Sequence, residues 1–300
     1  MSGDEVRFEA GTRRAAADAQ GGAAPLRELP IGIFDSGVGG LTVLRAVRER
    51  LPRERFLYLG DTARLPYGTK SAESVRRYSL QAADLLLNRG IKYLLVACNT
   101  ASAVALDALR ERYAPLPVMG VIDPGAEAAC AASRSRQIAV VATEGTIRGG
   151  AYQRSINARM PDALVVGRAC SLFVALAEEG WTDGPIVEAV ARRYLDELFE
   201  RHPAVDTLLL GCTHFPVLAD ALRKVLREQV QLVDSARTTA LALERELTAR
   251  GLHGSAPSGS VRLLATDNAE RFAAVGSLFL GEPFAADAVE IVDLAQPTSA

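Results

Sequence analysis

Two cysteines in this chain are delivered in nearly the same way. In VACNTASAV (residues 96–104) an apolar, strand-like run ends at Cys98, and Asn99 and Thr100 follow. In LLGCTHFPV (209–217) such a run ends at Cys212, and Thr213 and His214 follow. Thr100 and Ala101 read as a helix start, and Pro216 suits a first helical turn. A thiol between a strand end and a helix start lies near unpaired backbone N–H groups and the positive end of the helix dipole. That setting lowers a thiol pKa, so a thiolate is expected at neutral pH, and the same N–H groups can hold a carboxylate. One cysteine after a strand is ordinary buried filler. Two in matching contexts, each beside Asn or Thr donors, point to chemistry that needs two sulfurs. Cys130, in an Ala-rich helical stretch, and Cys170, at a strand-to-helix junction, lack such neighbours and read as structural.

Other stretches carry polar groups at useful places. IGIFDSGVGGLTVL (31–44) reads as a strand, a Gly-rich turn and a helix, with Asp35 and Ser36 at the strand tip. A dinucleotide fingerprint fails there, because Thr42 stands where G-x-G-x-x-G needs its last glycine, although Asp61 lies near the place of a ribose-binding acid. Asp35 would also repel a pyrophosphate, and suits base assistance or ammonium binding better. GDTARLPYGTK (60–70) is a loop in which Tyr67 stands between the turn residues Pro66 and Gly68, and its backbone N–H groups could form a small anion site. Several anion-holding places favour a substrate with two carboxylates. His214 is too close to Cys212 for the usual zinc spacings; a zinc site of Cys98, Cys212 and His214, or a Cys–His hydrolase pair, stays open at this point. The three lysines, Lys70, Lys92 and Lys224, lack the setting of a Schiff base beside a phosphate loop, so a mechanism with no cofactor and no metal is expected.

The elements that must position these groups alternate. Strand-like runs are predicted at 31–35, 56–60, 93–97, 118–121, 138–141, 164–166, 207–210, 231–233 and 261–265, with helical periodicity between them. Glycines at 90 and 251 are helix stops. Alternating strands and helices predict an α/β fold with parallel sheets covered on both faces. In such sheets ligands bind beyond the carboxyl ends of the strands, where both cysteines fall. The duplicated strand–Cys–helix unit predicts two similar halves facing each other: a first domain over 30–120, a second over 121–234, and a segment 235–295 that could complete either.

The bulk numbers exclude some classes. The 300 residues, 49% hydrophobic and 23% charged, suffice for two domains. A net charge of -2 and a pI near 6.0 leave no basic footprint for nucleic acid. Four cysteines without a CxxC pair make neither a disulfide framework nor a redox motif, and no apolar run approaches the roughly 20 residues of a membrane span. A reduced cytoplasmic setting is expected. Residues 1–29 lack the apolar core of a secretory signal and read as a disordered extension.

FDSGVGGLTVL, GDTARLPYG, ACNTASA, ATEGTIRGGAY and GCTHFPVL, in this order, resemble the signature stretches of bacterial glutamate racemases, from about Ile31 to about Asp293. The resemblance implies cofactor-independent inversion of glutamate by two bases, with Cys98 removing the proton of D-glutamate and Cys212 that of L-glutamate. It implies that Asp35 assists Cys98 and His214 assists Cys212. It places Ser36, Tyr67, Gly68, Asn99, Thr100 and Thr213, besides Asp35 and His214, at substrate-contacting positions, and more loosely Thr143, Thr146 and Glu178. It further implies two pseudo-symmetric α/β domains with the active site between them, the last segment returning to the first domain. A cytoplasmic homodimer with glutamate as its partner, supplying D-glutamate for peptidoglycan, completes the expectation. Regulation by a cell-wall precursor occurs in some longer relatives and is not legible here.

Overall fold

Residues 25–294 are described in the structure, a computed structural model. Ten strands run through it: β1 (Ile31–Asp35), β2 (Arg55–Gly60), β3 (Tyr93–Val96), β4 (Val118–Gly120), β5 (Gln137–Ala142), β6 (Leu164–Ala169), β7 (Thr207–Gly211), β8 (Gln231–Asp234), β9 (Ser260–Ala265) and β10 (Val289–Ile291). They form a six-stranded sheet, β10-β9-β2-β1-β3-β4, and a four-stranded sheet, β6-β5-β7-β8. Every pairing is parallel. The predicted strands are all present. β10 was not foreseen, because three residues at a sheet edge leave no readable period.

The inner strands, such as β3 and β7, are nearly continuous apolar runs because helices cover both faces of the sheets. In the larger sheet Ile31, Ile33, Phe56 and Tyr58 pack on one side, with helices Leu41–Arg50 and Ser235–Arg250. Phe34, Leu57, Leu94 and Val96 pack on the other, with helices Ala72–Asn88 and Asn99–Tyr113. The smaller sheet has its own pair of cores, around Phe173 and Phe215 on one face and around Tyr152 and Ile156 on the other. Each large side chain so buried contributes about 1.5–3 kcal/mol. Gly90 and Gly251 take left-handed φ values of 74° and 64°, as helix stops require.

The two sheets repeat one order. β2-β1-β3-β4 in the first corresponds to β6-β5-β7-β8 in the second, so β1 matches β5 and β3 matches β7. Strands β9 and β10 extend the first sheet beyond this repeat, from the segment whose placement the residues alone left open.

Residues 1–24 of the amino-terminal extension lie outside the described residues. Leu26–Glu28 form a 3-10 turn, and the buried Lys92 ammonium donates to Arg27 O at 2.7 Å and to Glu54 Oε2 at 2.5 Å. Lys92 is thereby a structural ion pair. Among the described residues no helix is long and apolar enough to cross a membrane.

Candidate active site

The parallel register sets the site. Phe34 pairs with Val96, so two residues further along each chain Ser36 stands level with Cys98. In the other sheet Ala142 pairs with Gly211, so one residue further Thr143 stands level with Cys212. Ser36 and Cys98 therefore correspond to Thr143 and Cys212. The residue corresponding to Asp35 is Ala142, so the second half has no carboxylate at that place and its cysteine is served from elsewhere.

Cys98 is the N-cap of helix Asn99–Tyr113, and its sulfur accepts from Ala101 N–H at 3.5 Å. Its S–H lies 3.7 Å from Ser36 Oγ. The helix start is as expected, but its effect on the thiol is not. Burial pushes the Cys98 thiol up, the Asp35 carboxylate pushes it further, and the Ala101 and Ser36 contacts only partly oppose them. A cysteine only 4% exposed loses more by desolvation than one N–H and one hydroxyl return. Burial and the Asp35 charge thus favour the neutral thiol over the thiolate.

Asp35 explains the Gly-rich turn. Its Oδ2 accepts from Gly37 N–H at 3.1 Å and Gly40 N–H at 3.0 Å, so the turn's donors bind the chain's own carboxylate where a dinucleotide would place phosphate. Oδ1 is buried without a partner among the described residues. Burial raises the Asp35 pKa, against the pull of His214 and those backbone bonds. A carboxylate so raised is a better proton acceptor.

Cys212 ends β7 differently. A 3-10 turn (Phe215–Leu218) follows it, and the helix proper, Ala219–Val225, begins only after that, with Pro216 in the first turn. The expected helix start beside this thiol is thus replaced by a side chain: His214 Nδ1 lies 3.9 Å from the Cys212 sulfur. His214 Nε2 meets Glu178 Oε1 at 3.1 Å. Burial alone would lower the His214 pKa, but the bonds to Cys212 and Glu178 and the charge of Asp35 outweigh it and raise it to about 10. Glu178 is in turn lowered, chiefly by its bond to His214. A histidine clamped by Glu178 stands beside one cysteine, and a carboxylate held by two backbone N–H groups beside the other.

Thr100, Thr143 and Thr146 form a triangle of hydroxyls at 3.1–3.2 Å across the two halves. Gly68 packs against Thr143, where an added Cβ would come within 2.7 Å. Tyr67 is buried beside it, but its phenol is committed to Asp61 Oδ2 at 2.5 Å, so any ligand contact there falls to the backbone. Asn99 Nδ2 donates to Tyr152 OH at 2.7 Å. Thr213 is held through its carbonyl by Thr42 Oγ1 at 2.9 Å, a bond that joins the halves. All thirteen candidate residues from the sequence thus gather around the facing strand ends. Cys130 lies apart in helix Ile122–Ala132, whereas Cys170 follows β6 in the same core as Cys212 and gives its S–H to Arg168 O at 3.7 Å; among the described residues no group of His, Cys, Asp and Glu side chains converges as a metal site.

Two buried residues were given no part in this site by sequence reasoning. Asp61 holds Arg64, Tyr67 and Thr266, fixing the PYG loop, and no local pattern marks such a hub. Tyr152 closes the ATEGTIRGGAY stretch, and an aromatic after two glycines was its only signal.

Gly39 shows how closely the halves approach. A Cβ there would sit 2.3 Å from His214 Nδ1 and 2.5 Å from Thr213 Oγ1. Gly39→Ala should therefore displace the imidazole from Cys212 and lower kcat/KM by roughly 10²-fold. Circular dichroism assays alongside a melting curve check this; a wild-type rate would show that His214 placement tolerates the shift.

A family profile described as Asp/Glu/Hydantoin racemase matches residues 40–243. A glutamate racemase of Geobacter metallireducens is 51% identical over 254 residues, 84% of this chain and 92% of its own length. The crystal structure of Francisella tularensis glutamate racemase in complex with D-glutamate superposes with a TM-score of 0.82 at 36% identity, covering 89% of this chain and 98% of that one. A Thermus thermophilus glutamate racemase structure, in complex with β-chloro-D-alanine, gives 0.80 at 44% identity over the same shares.

Proposed function

The chain belongs to the Asp/Glu/hydantoin racemase family, among its glutamate racemases, and we propose that it interconverts L- and D-glutamate by two-base proton transfer between Cys98 and Cys212. One observation carries the reading: two buried thiols end equivalent strands of facing halves, and each has a different titratable partner. Inversion needs a base on one face of Cα and an acid on the other, and two unlike thiol sites supply both.

In the direction from D-glutamate, Asp35 takes the Cys98 proton through its free Oδ1, and the resulting thiolate removes the α-proton. Cys212 then delivers its own proton to the opposite face, and the His214 imidazolium replaces it. The turnover ends with both thiols protonated, Asp35 protonated and His214 neutral. That is the state from which His214 can act as acceptor for Cys212 in the reverse direction. The α-proton of an amino acid is very weakly acidic. Donors from Thr100, Thr143, Thr146 and the helix start at Asn99 would hold a carboxylate and stabilise the charge that develops beside it. Cofactor independence, a homodimeric cytoplasmic enzyme and supply of D-glutamate for peptidoglycan belong to the same proposal and rest on the family likeness.

The protein, dialysed against a chelator and treated with hydroxylamine, is incubated with D- or L-glutamate in D2O. Circular dichroism should decay to zero from either side while mass spectrometry finds deuterium at Cα. Glutamine, which lacks the second charge, should react far more slowly. No inversion, or inversion restored only by metal or pyridoxal phosphate, would overturn the proposal.

A further inference from the structure

We infer that Tyr152 is a positioning residue that orients the Asn99 side-chain amide so that its oxygen accepts a hydrogen bond from the substrate's α-ammonium. The inference deepens the glutamate reading and rests on it. Asn99 follows Cys98 directly and is 3% exposed. Its Nδ2 donates to the Tyr152 phenol at 2.7 Å, while its Oδ1 is buried with no partner among the described residues. A buried acceptor without a donor is costly, and the Asn99 oxygen calls for a ligand that brings N–H groups. An ammonium brings three and no acceptor.

Tyr152 can set the amide because it cannot itself move. It is 1% exposed, and backbone flanks its ring: a Cβ at Gly211 would lie 2.8 Å from it and one at Gly125 3.3 Å. With the Asn99 NH2 group held by a fixed phenol oxygen, the carbonyl must point the other way. Asn99 comes from the first half and Tyr152 from the second, so this acceptor is oriented only when the halves are docked.

The test separates the ammonium from the carboxylates. D-glutamate carries both; glutarate carries the same two carboxylates and no ammonium. In Tyr152→Phe the ring remains and the phenol is lost. KM for glutamate should rise about tenfold with a smaller change in kcat, as expected when a hydrogen bond to a charged group present throughout the reaction is weakened. The inhibition constant of glutarate should stay within about twofold of wild type. Asn99→Ala should show the same split, and adding Y152F to it should do no further harm, since the two act as one unit. Equal weakening of both ligands, additive effects in the double variant, or unchanged glutamate KM would overturn the inference. If Y152F does not fold, N99A alone decides, because an equal effect on glutarate there refutes the ammonium contact. Wild-type protein that fails to racemise glutamate would bring down the parent reading, and this inference with it.

Discussion

Cys98→Ser and Cys212→Ser should each lose racemisation by about 10²–10⁴-fold, the range expected when a positioned proton carrier is replaced by a far weaker acid. The two losses will look alike in the overall reaction. The equilibrium constant of a racemase is one, so kcat/KM must be equal in the two directions for any variant. The asymmetry shows only in partial reactions. With Cys98→Ser, residual exchange of the α-proton in D2O should be greater from L-glutamate, because Cys212 is intact; with Cys212→Ser it should be greater from D-glutamate. A slow 2-substituted analogue that eliminates after a single deprotonation should split the same way. The reverse preference would exchange the two assignments. Equal exchange from both enantiomers would support one base, and near-normal racemisation in either variant would end the two-thiol reading.

The unlike partners of the thiols give the second large effect. Asp35→Asn removes the acceptor beside a thiol that burial keeps protonated, and His214→Asn removes the imidazolium beside the other. Each should lower kcat/KM roughly 10²-fold, at the low end of what proton carriers contribute. Substrate deuterated at Cα reports which cleavage became slow. In D35N the isotope effect should grow with deuterated D-glutamate and stay small with the L form; in H214N the order should be inverted. The pH dependence follows from the same groups. His214, raised to about 10, is charged at neutral pH, and the stability its charged pairing provides is present in full below its unfolded value and lost as pH rises through about 10. A wild-type Tm that did not fall across that window, relative to H214N, would refute the charged pairing.

Much of this was legible along the chain. Strands β1 to β9, the helix stops at Gly90 and Gly251, and the place of both cysteines at carboxyl strand ends follow from short-range patterns. Hydrophobic runs, turn residues and caps act over a few positions, and the sequence states them directly. β10 was lost because three residues at an edge hold too little pattern.

What the sequence determined by itself was the set of candidate groups for the proposed reaction: two thiols, Asp35, His214 and the hydroxyls, each near the end of a strand or in the loop after it. The tertiary structure decided how those groups bind protons and which of them meet. The local rule for a helix start predicted a lowered Cys98 thiol, and desolvation with Asp35 alongside reversed it. The second helix start gave way to a 3-10 turn, and Glu178, far back in the chain, came to clamp His214. Tyr67 and Tyr152 turned out to hold Asp61 and Asn99. Proton affinity depends on the water removed and the charges brought near, and segments distant in sequence supply both only when the strand ends of the two halves meet.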